Sequence, residues 1–116
     1  MNKRAVGAEY EEMAADYLKK QGFRIIERNF SCRTGEIDII AEEKGCICFV
    51  EVKYRMRKGQ GSALEAVTPL KMRKISRTAA YWLLRHQLPE DTACRFDVIG
   101  IESDGITLVR NAFDYR

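Results

Sequence analysis

GEIDIIAEEKGCICFVEVK, residues 35–53, consists of two apolar runs meeting at Lys44–Gly45, with Glu36 and Asp38 set inside the first and Glu51 and Lys53 inside the second. Alternating apolar residues on either side of a short glycine-containing turn predict a β-hairpin. Side chains along a strand alternate between faces, so the register can be tested against the pattern itself. With the turn centred on Lys44 and Gly45, in a loop of two or four residues, opposed residue numbers sum to 89. Asp38 then faces Glu51, Glu36 faces Lys53 and Ile40 faces Phe49, while Ile37, Ile39 and Ala41 meet Val52, Val50 and Cys48 on a wholly apolar face. A slip of one residue would mix charge into that face. Two directly opposed carboxylates, about 4.5–5.5 Å apart at Cβ, repel and weaken the sheet. A divalent cation between them removes the conflict, because Mg²⁺ takes oxygen ligands and is commonly held by one or two carboxylates. The competing reading is a solvated charge network on the exposed face of a hairpin.

Outward from the hairpin, Val6, Tyr10, Met13, Ala14, Tyr17 and Leu18 follow helical spacing from about Val6 to Gln21, and Gly22 is the expected stop. RIIERNF, residues 24–30, reads as a strand that SCRTG joins to the hairpin. After the basic loop RMRKGQGSALEAV, Thr68 supplies an N-cap and Pro69 a first-turn proline for a second helix reaching about Gln87. CRFDVIGI and ITLVR, separated by ESDG, form a second hairpin, and the tail NAFDYR carries no signal. The expected order is α-β-β-β-α-β-β, an α/β (α+β) fold with a mixed sheet flanked by helices.

At 116 residues the chain fits one domain, and 46% hydrophobic with 32% charged residues is an ordinary globular balance. No apolar run approaches the roughly 20 residues of a membrane span, so a soluble, cytoplasmic protein is expected. Cys32, Cys46, Cys48 and Cys94 contain no C-x-x-C pair and are expected to be buried free thiols. The single histidine, His86, excludes paired-histidine hydrolysis, and neither Cys94 nor any serine has a histidine partner for nucleophilic catalysis. A net charge of +3 permits a polyanionic partner without requiring one. Arg55, Arg57 and Lys58 follow the hairpin directly. In the second helix Lys74, Arg77, Tyr81 and Arg85 form a stripe, with Lys71 near its start; such residues hold phosphates without reading bases. The bland reading of that stripe is a solvated helix face.

GEIDII followed by FVEVK resembles the D…(E/D)-x-K signature of restriction-endonuclease-like nucleases, PD-(D/E)XK, with Asp38, Glu51 and Lys53 at the matching positions and Ile37 where the motif's name has proline. GAEYEEMAADYLKKQGF, RNF, GEIDII, FVEVK, EAVTPLKMRKI and RFDVIGI in that order resemble the YraN family of small bacterial proteins, related to Holliday-junction resolvases, over essentially the whole chain. The resemblance implies a restriction-endonuclease-like sheet, Mg²⁺ or Mn²⁺ held by Asp38 and Glu51, and Lys53 as the catalytic lysine. It also implies a metal-site role for Glu9 on the first helix, where the alternative is a helix-start carboxylate favoured by the macrodipole. Glu36 is expected to support Lys53, and Asp97 to be structural. The implied activity is phosphodiester hydrolysis in DNA, branched or damaged DNA included, with a homodimer admitted by analogy to resolvases. The alternatives are a noncatalytic nucleic-acid-binding module of the same fold and a protein-interaction adaptor using the hairpin edge.

Overall fold

The computed structural model describes residues 3–55 and 66–116, with side chains from Val6 onward. Elements follow the expected order: α1 (Lys3–Lys20), β1 (Arg24–Cys32), β2 (Gly35–Glu43), β3 (Cys46–Arg55), α2 (Pro69–Arg85), β4 (Cys94–Glu102) and β5 (Gly105–Phe113). The strands make one mixed sheet in the order β1-β2-β3-β4-β5. Only β3 and β4 run parallel, as a connection through α2 requires, and the other neighbours are antiparallel.

Local chemistry sets the element ends. Gly22, at φ 100°, closes α1; Phe23 N–H donates to Leu18 O and Gly22 N–H to Lys19 O, which satisfies the last carbonyls. Thr68 Oγ1 accepts from Lys71 N–H at 3.2 Å, and Pro69 occupies the first turn of α2, where its missing N–H costs nothing. Lys44 and Gly45 have φ of 51° and 82°, so the β2–β3 connection is the two-residue, primed turn. β5 continues through Asn111–Phe113, beyond the expected ITLVR, because Phe113 is buried and stacks on Phe96 at 4.9 Å between centroids.

The two helices cover opposite faces. Ala14, Ala15 and Leu18 of α1 pack with Phe23, Ile39, Ala41, Cys48, Val50, Val52, Ile99 and Ile101. Ile75, Ala79 and Trp82 of α2 pack with Phe30, Ile37, Ile40, Phe49, Phe96 and Val98. Cys48 alone among the cysteines is fully buried; all four are free, and Cys94 is exposed, so the expected burial fails for most of them.

The β2–β3 pairs Ile39–Val50, Ile40–Phe49 and Ala41–Cys48 follow the register read from the pattern. That ladder stops at Ile39–Val50. Ile37 pairs with Phe30 of β1 rather than with Val52, and Glu36 pairs with Ser31 rather than with Lys53. Ile39 lies under α1 whereas Ile37 lies under α2, so the simple alternation breaks at Asp38. Facing this break on β1, between the Arg28–Ile39 and Phe30–Ile37 pairs, Asn29 takes φ 54°. A left-handed residue turns the chain by an extra half-step, and asparagine tolerates it better than most.

Beyond the break, Glu43, Arg95, Asp97 and Arg110 form an ion network at the turn end of β2. Arg110 meets Glu43 at 2.7 and 2.8 Å, Arg95 bonds both Glu43 and Asp97, and Asn111 N–H donates to Asp97 at 2.9 Å. Asp97 is fully buried there and serves the fold.

Candidate functional site

The site forms where β2 and β3 part. At Asp38 the ladder gives way to the side chain: Val52 N–H donates to Asp38 Oδ2 at 2.7 Å. This bond replaces a backbone acceptor and fixes the carboxylate at the opening of the two strands. Glu51, one residue before Val52, is 5% exposed. Its Oε2 has no hydrogen-bond partner among the described residues. The Lys71 ammonium lies 3.6 Å from that oxygen, an ion pair longer than a hydrogen bond. Burial foremost, and then the neighbouring Asp38 carboxyl, push the Glu51 acid well above the usual carboxylate range, while the charges of Lys71 and Lys53 pull it back. Lys53, half-buried and two residues along β3, takes the same side of its strand as Glu51 by alternation.

The acid that α1 brings to this site is Glu11, not Glu9. Glu9 is exposed, whereas Glu11 is half-buried and its pKa is raised, by burial first and then by the charge of Asp38, with Glu36 contributing. Asn29 donates to both Glu11 oxygens, at 2.9 and 3.1 Å, once its amide is turned so that nitrogen meets the carboxylate. The residue that breaks the strand alternation therefore also holds the helix-borne acid. The resemblance pointed to Glu9; of the predicted stripe, Ala14 and Leu18 are buried while Met13 is 43% exposed, and Ala15 is buried as well. Glu11 precedes Ala14, Ala15 and Leu18 by three, four and seven residues, which is a legible signal.

The remaining predicted residues divide. Glu36 is exposed and borders, with Gly7, Ala8, Glu11, Asn29 and Ser31, an open groove of about 510 Å³. Arg55 donates to Tyr54 O at 3.2 Å at the end of β3. Lys74 and Arg77 are exposed on α2, and Lys71 belongs to the carboxylate site itself through Glu51. Arg57 and Lys58 lie outside the described residues.

No three His, Cys, Asp or Glu side chains converge among the described residues as a ready-made metal cage. Two carboxylates are nevertheless a donor set that suits Mg²⁺, which keeps several waters. The buried Glu51 Oε2, which takes no hydrogen bond among the described residues and whose only ion pair there is with the Lys71 ammonium at 3.6 Å, is the observation that fits a cation. No helix among the described residues is long and apolar enough to cross a membrane.

Comparison with known proteins sets the chain among relatives. A solved structure, SfsA from Pyrococcus furiosus in complex with Ca²⁺, matches 94% of this chain and 62% of its own at TM-score 0.43 and 16% identity, a likeness too distant to carry an argument. A UPF0102 protein of Lachnoclostridium phytofermentans is 51% identical over 114 residues, spanning 98% of this chain and 97% of the relative. UPF0102 proteins of Aliivibrio fischeri and Alkalilimnicola ehrlichii are 46% and 43% identical over 96% and 89% of this chain, and over 93% and 82% of their own lengths. The model of the uncharacterised protein family UPF0102 matches residues 10–101, and the chain belongs to that family, the YraN-like family its sequence resembles.

Proposed function

We propose that this protein is a metal-dependent nuclease of the restriction-endonuclease-like class that hydrolyses phosphodiester bonds in DNA, branched or damaged DNA being the substrates the resolvase likeness favours. The observation that carries the reading is the enclosed Glu51 carboxylate, with one oxygen that takes no hydrogen bond among the described residues, set against Asp38 at the opening of two strands. When bound, Mg²⁺ or Mn²⁺ supplies Lewis-acid polarisation of the phosphate and lowers the pKa of water. Asp38 and Glu51 are the residues that would hold it, with Glu11 nearby to complete the acidic set. Asp38 stays oriented through the Val52 N–H, so its carboxylate is preorganised rather than mobile. Lys53 and Lys71 place two ammonium groups near the acids, where they neutralise charge that develops on a phosphate oxygen.

Nucleic acid as substrate draws its support from α2. Its sequence PLKMRKISRTAAYWLLR contains Lys71, Arg73, Lys74, Arg77 and Arg85 and no acidic residue. The same surface supports the second reading, a module that binds nucleic acid without cleaving it. Incubation with linear, flapped and four-way DNA in Mg²⁺ or Mn²⁺ separates the two. The nuclease reading expects cleavage that Asp38→Asn and Lys53→Ala abolish while binding persists; binding without cleavage by the wild type favours the module, and cleavage surviving both substitutions removes the mechanism.

A further inference from the structure

We propose that the cavity between α2 and the β1–β2 turn receives one unpaired nucleobase of the bound nucleic acid; that the ligand is nucleic acid rests on the reading above. The cavity, about 160 Å³, is lined by Cys32, Arg33, Thr34 and Tyr81. Its aromatic wall is Tyr81, 44% exposed, whose ring is backed by Phe30 at 6.3 Å between centroids and 25° between planes. Bases taken out of a duplex stack on such rings and on arginine guanidinium planes, and Arg33 stands exposed at the other side.

The walls are held before any ligand arrives. Thr34 Oγ1 bonds Thr78 Oγ1 at 3.0 Å and Cys32 Sγ at 3.1 Å, and Thr78 Oγ1 donates to Lys74 O at 2.8 Å. Gly35, at φ 148°, gives the turn a backbone conformation that other residues rarely adopt, and the turn rests there against Thr78 and Lys74 of α2. A turn fixed this way loses little freedom on binding.

The surroundings select a polyanion. Arg73, Lys74, Arg77 and Arg85 make no ion pair among the described residues, and α2 has no acid to neutralise them. An acidic peptide would satisfy the charges but leave the aromatic cavity unfilled, whereas a nucleic-acid strand supplies both phosphates and a planar base. Tyr81 follows Lys71 by ten residues, about 15 Å of helix. That is roughly four nucleotides at the 3.4 Å rise of a stacked strand. The unpaired base therefore sits a few nucleotides from a phosphate at Glu51 and Lys71.

The test measures binding of the full chain in EDTA, where no cleavage occurs, to a labelled single strand of about 12 nucleotides, within the range one such surface spans. Comparison ligands are the same strand with abasic sites, a duplex of equal length and polyglutamate. Tyr81→Ala is expected to weaken single-strand binding about tenfold, with Tyr81→Phe unchanged and duplex binding moved less than about twofold. Arg33→Ala, on an exposed turn that does not threaten folding, is expected to weaken single-strand binding in the same direction. Abasic strands should bind wild type and Tyr81→Ala alike. The proposal is overturned if both variants bind the single strand as the wild type does, if Tyr81→Ala weakens single strand and duplex equally, if polyglutamate competes as well as the strand, or if the wild type binds no oligonucleotide. Cleavage in Mg²⁺ with base-independent binding would sink this cavity and leave the nuclease reading standing. Base-dependent binding without cleavage would do the reverse.

Discussion

Glu51 is buried beside another acid and two lysines, and its behaviour with pH exposes what the site is built for. Its acid is raised above the ordinary value of 4.5 because burial and Asp38 disfavour the charged form. A raised acid binds a proton in the folded state that the unfolded chain has released, so the contribution of Glu51 to metal-free stability is most favourable below about pH 4.5 and falls as pH rises toward the folded-state pKa. Glu51→Gln removes that dependence. Urea unfolding at pH 8 in EDTA should find the variant more stable than wild type, and at pH 4 the difference should vanish. Saturating Mg²⁺ should raise the wild-type melting temperature at pH 8 by binding the folded form, and leave Asp38→Asn unmoved. Trp82, the single tryptophan, is buried edge-on against Phe49 and hydrogen-bonds Glu27 at 3.0 Å, so its fluorescence reports these transitions.

The strands show which parts of the site were legible. The β2–β3 register could be read because one face of the hairpin is apolar and a slip of one residue would expose it; parity alone fixed Ile39–Val50 and Ile40–Phe49. The same logic failed at Ile37, since alternation assumes extended backbone on every residue and Asn29 departs from it at φ 54°. Nothing in the alternation of RIIERNF marks that asparagine, whose turned amide reaches Glu11. Asn29→Ala should therefore cost about 1–2 kcal/mol in urea unfolding, from left-handed strain, while Asn29→Gly costs less and loses only the bond to Glu11. On helix α1 the spacing found Ala14 and Leu18 but took in the exposed Met13 and left out the buried Ala15, and Glu9 came from the resemblance rather than from that spacing. At the turn end of β2, Arg110 foremost and Arg95 as well hold Glu43 at about 2, against 4.5 for a free glutamate. A depressed acid contributes stability that is complete above about pH 4.5 and is lost as pH falls through 2. Acid unfolding of Glu43→Gln should show a weaker pH dependence across that window than the wild type does.

Across the protein, the site lies where the two cores come closest to parting: Glu11 arrives from the α1 face, Lys71 from α2, and Asp38 and Glu51 from the strands between them. Lys71, paired with Glu51, ties the carboxylate site to the basic face of α2. Binding to nucleic acid should weaken steeply with salt, and removing Lys74 or Arg77 should each lower the slope of log affinity against log salt by about 0.7 on a single strand without changing sequence preference. A slope indifferent to both would place the phosphates elsewhere. The most direct measurement is anomalous diffraction from a crystal of the wild type soaked in Mn²⁺. A peak within coordination distance of both Asp38 and Glu51, absent from Asp38→Asn, is the expected result. A protein that cleaves DNA in Mn²⁺ while its crystals hold no metal between those two carboxylates would contradict it.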